Sequence, residues 1–207
     1  SLHNEFIDRI NHMPIVFIDR EYIGSNMSSV IIDNIEGARL AMEYLIRQGH
    51  RRIGYIHGHN IDDEQRFQAY LNVLKKYSIP VDESIILRGN FEEQLAYSEM
   101  RVLILKATHL PDAFFCANDE MAWGSIRALN EAGIKVPDQI SIIGYDDISL
   151  SAHFTPPLTT IHSPVTELGY ASTTELMRLI ESEDASPGTI TRLSPSLIVR
   201  DSCRVRL

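Results

Sequence analysis

The feature that most constrains this chain is an alternation: short apolar, β-branched runs recur, and most are followed by a longer stretch of helical periodicity. Runs at Pro14–Asp19, Val30–Asp33, Arg52–Gly58, Ser84–Gly89, Ala113–Ala117, Ile140–Tyr145 and Leu197–Val199 are apolar mostly on consecutive residues. That is the pattern of strands buried on both faces, and it predicts a parallel sheet covered by helices.

The intervening helices show their stripes. Ala38, Ala41, Met42 and Leu45 share one face of a helix that Asn34 is placed to cap and Gly49 to stop. Phe67, Tyr70, Leu71 and Leu74 repeat at i, i+3, i+4 and i+7, giving a second helix that ends before Pro80. A third is expected from Phe91 to Lys106. Met121, Ala122, Ile126 and Leu129 mark a fourth closed by Gly133, and Leu168, Leu176, Leu179 and Ile180 a fifth from Val165 to Ile180. Glu181–Thr191, with Pro187 and Gly188, reads as a polar loop. The fold class is therefore α/β with a doubly wound arrangement.

Composition narrows the function. The 207 residues are 44% hydrophobic and 23% charged, as in ordinary globular proteins, and no apolar run reaches the ~20 residues a membrane helix needs. The net charge of −9, with Lys and Arg scattered, argues against this stretch gripping a phosphate backbone by itself. Cys116 and Cys203 are too few for a disulfide scaffold. Ser1–Ile10 reads as an amphipathic segment already under way, without an initiator Met or a signal-like apolar region, which leads us to expect polypeptide upstream.

In open parallel sheets ligands bind outside the carboxyl ends of the strands. There the sequence places Asp19 and Arg20, His57–Asn60, Asn90 and Phe91, Asn118 and Asp119, and Asp146 and Asp147, with Arg66 on the following helix. Carboxylates, amides, a guanidinium and an aromatic face suit a polyhydroxylated ligand. Each also has a plainer reading: Asp33, Asn34, Asn118 and Asp119 as helix caps, Asp146–Asp147 as a solvated turn, Arg66 as a surface charge. His57 and His59 lack a third ligand at metal-site spacing, so no metal is expected. With no phosphate loop, nucleophile elbow or dinucleotide fingerprint, no catalytic residue, cofactor or enzyme activity is expected either.

Five blocks occur in order: Pro14-Ile-Val-Phe-Ile-Asp-Arg20, Gly49-His-Arg-Arg-Ile-Gly-Tyr55, Pro111-Asp-Ala-Phe-Phe-Cys-Ala-Asn-Asp119 with Met121-Ala122, Val136 through Gly144-Tyr-Asp-Asp147, and Pro156-Pro-Leu-Thr-Thr160. This ordered set resembles the lactose-repressor/galactose-repressor (LacI/GalR) family of bacterial transcription regulators over nearly the whole chain. The resemblance implies the effector-binding domain: two doubly wound parallel-sheet lobes of the periplasmic-binding-protein type, joined by three crossovers near Ile32, His162 and Ser194. The N-terminal lobe would comprise residues 1–31 and 163–193 and be partial, and the C-terminal lobe 33–161 and 195–207. The family's DNA-binding helix-turn-helix would lie upstream.

The resemblance further implies that Asp19, Arg66, Phe91, Asn118, Asp146 and Ser163 contact a sugar-like small-molecule effector in the interlobe cleft, and that Trp123 and Phe154, read as exposed, pack across a homodimer interface. Trp123 could instead fill the core of its own lobe. Operator DNA is the implied partner of the upstream module, and the cytoplasm the implied location. Ala69 and Ala96 stand where the family often has Gly, Phe91 where an indole is common, and the His57–Glu64 loop matches no family pattern, so it is expected to set ligand identity. A periplasmic sugar-binding protein of a transport system and a sugar-phosphate enzyme are the rival readings.

Overall fold

A computed structural model of the protein describes residues 13–182 and 186–206. The amphipathic reading of Ser1–Ile10 lies outside the described residues. In chain order the elements are β1 (Ile15–Ile18), β2 (Met27–Ile32), α1 (Asn34–Arg47), β3 (Ile53–His57), α2 (Ile61–Lys76), β4 (Ile86–Arg88), α3 (Glu93–Lys106), β5 (Ala113–Cys116), α4 (Asp119–Glu131), β6 (Ser141–Asp146), β7 (Thr159–His162), α5 (Val165–Glu181), β8 (Ile190–Leu193) and β9 (Ser196–Ile198), with short 3-10 turns at Glu83–Ile85 and Ser151–His153. They form two compact units, Ser1–Asp33 with Pro164–Ser194, and Asn34–Ser163 with Pro195–Leu207.

The first unit holds a parallel sheet in the order β1-β2-β8, with α5 packed on it. Its core is small, built on Val30, Ile32 and Leu168. Ser28 and Ser29 are fully buried within β2 because their hydroxyls are satisfied, Ser28 donating to Glu175 and Ser29 to the Tyr22 carbonyl. Such satisfied polar residues carry no apolar signal, which explains why the strand starts at Met27 rather than at the expected Val30.

The second unit holds a six-stranded sheet in the order β4-β3-β5-β6-β7-β9, parallel except for the antiparallel β7–β9 pair. Helix α1 packs on α2 and α3 on α4. Tyr55, Phe114, Phe115 and Tyr145 are completely buried at the centre, each such side chain stabilising the fold by roughly 1.5–3 kcal/mol.

Four expectations need correction. Helix α3 starts at Glu93 because Asn90 and Phe91 take left-handed backbone angles (φ 51° and 64°) that a helix does not admit. Within the expected His57–Glu64 loop, α2 already begins at Ile61, where Asn60 accepts from the Asp63 N–H. Strand β7 begins in the Pro-Pro-Leu-Thr-Thr block, whose threonines bury because Thr160 donates to Asp119 and Thr159 accepts from the Arg200 N–H. Strand β8 begins within the expected Glu181–Thr191 loop, with half-exposed Ile-Thr-Arg-Leu too polar to read as a buried strand.

Candidate functional site

In the six-stranded sheet β3 leads to β4 on one side and β5 leads to β6 and β7 on the other, so the winding reverses between β3 and β5. The carboxyl ends at such a reversal border a crevice. Arg66, from the first half of α2, reaches into this region and is 8% exposed. Its Nε donates to Asn34 Oδ1 at 2.9 Å, and Nη1 donates to the carbonyl of Ala117, just past β5. Its guanidinium carbon lies 3.6 Å from the centroid of the Tyr145 ring, and Nη2 is 3.6 Å from Asp146 Oδ1. A buried guanidinium held on several sides is fixed in position, and its surface-charge reading is excluded.

Asn34 helps to hold the Arg66 guanidinium. Its carbonyl oxygen accepts from Arg66, and its amide donates to Asp62 and Gln65. It is the first residue of α1 rather than the residue before it. Asn118 fits its capping reading: Oδ1 accepts from the Met121 N–H at 2.9 Å at the start of α4, while Nδ2 donates to the Phe91 carbonyl at 3.3 Å.

Asp146 and Phe91 carry backbone strain. Asp146 stands at φ 106° and Phe91 at φ 64°, conformations costly for side chains with a Cβ and concentrated at ligand sites. Phe91 is wedged against Gly58, where a Cβ would come within 2.1 Å of the ring, and His59 meets the ring edge-on at 5.4 Å. Burial pushes the Asp146 carboxyl above the usual carboxylate range, with Arg66 opposing the shift and Asp119 adding to it. Ser163 is buried, with its Oγ 3.5 Å from Asp146 Oδ1. Thus Arg66, Asp146 and Ser163 form one group of contacts and Phe91 and Asn118 another, both within the second unit.

Asp19 belongs to the first unit. It follows β1 at φ 51°, and its Oδ1 accepts from the Ile32 N–H at 3.3 Å.

Three side chains make contacts here that the sequence pattern did not show. Tyr145 lies inside a strand and reads as core, and only the tertiary structure shows its contact with Arg66. Tyr55 and His57, two apart on β3, both donate to Asp63, at 2.9 and 2.8 Å. Burial alone would raise the Asp63 pKa, but His57, the Gly58 N–H and Tyr55 hold it below the ordinary value. Because the carboxylate only accepts, the His57 proton sits on Nδ1 and the ring is fixed in orientation. No group of three or more His, Cys, Asp or Glu placed to hold a metal occurs among the described residues.

Trp123 and Phe154 stack with ring centroids 4.5 Å apart. Trp123 is half-buried, whereas Phe154, expected to be exposed, is 8% exposed because the indole covers it. With Ile148, Leu150 and His153 they border a hollow of about 450 Å³. Among the described residues no helix is long and apolar enough to cross a membrane.

Residues 42–203 match the family described as periplasmic binding protein-like domain. The HTH-type transcriptional repressor PurR of Yersinia pestis (strain Pestoides F) is 39% identical over 199 residues, covering 95% of this chain and 58% of that protein. The chain therefore spans under two thirds of the length of such relatives. Among solved structures, a complex of the transcriptional regulator CelR with cellobiose is 32% identical, with a TM-score of 0.82 over 90% of this chain and 58% of the other. A LacI family transcriptional regulator from Enterococcus faecium with bound ribose is 30% identical, with a TM-score of 0.86 over 99% and 75%.

Proposed function

Because the chain belongs to the periplasmic binding protein-like domain family, as an effector-binding domain of the LacI/GalR type, we propose that it senses a sugar or sugar derivative on behalf of a DNA-binding repressor. The observation that carries this reading is the Arg66 clamp, a buried guanidinium held by Asn34 and Ala117 beside the strained Asp146. Arg66 and Asp146 would hold ligand hydroxyls, with Asn118 and Ser163 completing the polar set and Phe91 packing on the apolar face of the ring. Asp19, in the other unit, is proposed to contribute a further acceptor. The cellobiose and ribose bound in the two similar regulators support the ligand class.

Ligand binding would shift the population between states of different operator affinity, through a coupling free energy of typically ~1–3 kcal/mol. Operator contact would belong to polypeptide outside this chain, which agrees with the charge of −9. Trp123 and Phe154, an aromatic pair beside the exposed Leu150, are proposed as the centre of a homodimer interface. We place the protein in the cytoplasm and assign it no turnover.

The test is a thermal-shift screen of mono- and disaccharides and their derivatives, followed by calorimetry on Arg66→Gln and Asp146→Asn. A ligand whose binding is lost in both variants is expected. A ligand that binds both variants as it binds the parent overturns the site.

A further inference from the structure

The amino ends of β3, β5 and β6 carry a second polar cluster, at the opposite end of these strands from the Arg66 site. Gly49 stands at φ 94°, and a Cβ there would lie 2.4 Å from the carbonyl oxygen of Arg206, whose N–H donates to the Gln48 carbonyl at 2.7 Å. The C-terminal tail is thereby strapped past the end of α1, which brings Arg204 and Arg206 beside His50.

His50 is 2% exposed. Its Nε2 lies 3.2 Å from the Arg204 carbonyl oxygen, which can only accept, so Nε2 carries the hydrogen and Nδ1 of the neutral ring is an acceptor. That Nδ1 is buried and has no hydrogen-bond partner among the described residues. A buried unsatisfied acceptor is costly, and its presence points to a donor that comes from outside the chain.

The imidazole borders a cavity of about 410 Å³ shared with Asp112, Asp138, Gln139, Arg204 and Arg206. Each guanidinium meets a carboxylate through Nη1, Arg204 with Asp138 at 3.1 Å and Arg206 with Asp112 at 3.0 Å, which leaves further N–H groups on each. Both Asp112 oxygens are engaged, Oδ2 by the N–H groups of Arg51 and Arg52 and Oδ1 by Arg206. Asp138 is different: its side chain is 59% exposed, so it is the carboxylate an incoming anion replaces on Arg204. The cavity thus presents two guanidiniums to negative oxygens, and the imidazole on its wall carries the unpartnered, buried Nδ1.

We propose that this cavity is a second small-ligand site, which takes a compact oxyanion carrying one O–H donor, as hydrogenphosphate does. The anionic oxygens pair with Arg204 and Arg206, and the O–H donates to His50 Nδ1. Sulfate has the same shape but no hydroxyl near neutral pH, so it is the discriminating control.

The experiment is calorimetric titration of this protein with inorganic phosphate and with sulfate at matched ionic strength. Phosphate is expected to bind saturably and about tenfold more tightly than sulfate, the ratio that one buried hydrogen bond supplies. His50→Phe should erase the preference, and Arg206→Gln, at a half-exposed side chain that need not disturb the fold, should weaken both anions. Arg66→Gln should leave phosphate binding unchanged, which separates this site from the proposed effector site. Equal binding of the two anions, no saturable phosphate binding, or phosphate binding that survives Arg206→Gln or is lost in Arg66→Gln would each overturn the proposal.

Discussion

The Arg66 guanidinium lies flat enough on Tyr145 for its carbon to sit 3.6 Å from the ring centroid, while its Nη2 stays 3.6 Å from Asp146, the next residue in the chain. One strand end therefore supplies both the stacking surface and the counter-charge. Replacing Tyr145 with Leu removes the π-face and leaves part of its buried volume unfilled, and we expect a stability loss of about 2–4 kcal/mol with weaker effector binding. Chemical denaturation and calorimetry measure the two effects separately.

Gly58 leaves room for Phe91, so Gly58→Ala should drive the ring off its seat: the added Cβ would meet it at 2.1 Å. Overpacking of this kind costs typically ~1–3 kcal/mol. Effector affinity should fall by more than stability does. An unchanged Kd would show that Phe91 does not touch the ligand.

Asp119 is fully buried, accepting from the Ile148 N–H, Ser151 and Thr160. Burial outweighs these bonds and pushes its pKa from the ordinary 3.8 up to about 6. Between those values the folded state binds more protons than the unfolded chain, so this group's contribution to stability is greatest below 3.8 and declines as pH rises to about 6. Relative to Asp119→Asn, the parent protein should lose about 3 kcal/mol across that window, at ~1.4 kcal/mol per unit. Urea melts at several pH values give the difference directly, and a flat difference contradicts the assignment.

Trp123→Ala removes the ring that covers Phe154. If this patch is the dimer centre, sedimentation should show the association constant falling by about 2 kcal/mol or more, the scale of an interface anchor. Dimerisation as tight as the parent's would place the interface elsewhere.

Glu175 ties Ser28, Thr189 and Arg178 together in the first unit. The Arg178 hydrogen bond is the main reason its pKa falls to about 2. Its stabilising contribution is therefore complete above the ordinary 4.5 and is lost as pH falls toward 2. Glu175→Gln should blunt the acid sensitivity of the parent, read as a shallower fall of melting temperature below pH about 4.5.

By itself the sequence determined the alternating α/β plan, the order of nearly all elements and the family, because burial on both faces writes an apolar run into each central strand and one-sided burial writes a stripe into each helix. Arg66, Asn118 and Asp146 were also legible, as polar residues at strand ends or on the next helix. The tertiary structure alone decided what those residues touch. The left-handed turns at Phe91 and Asp146, the seating of Arg66 on Tyr145 and Asn34, and the strapping of the tail across His50 all join residues far apart in the chain. Such contacts leave no local periodicity, and a polar group that is satisfied by a distant partner looks, in sequence, the same as one facing water.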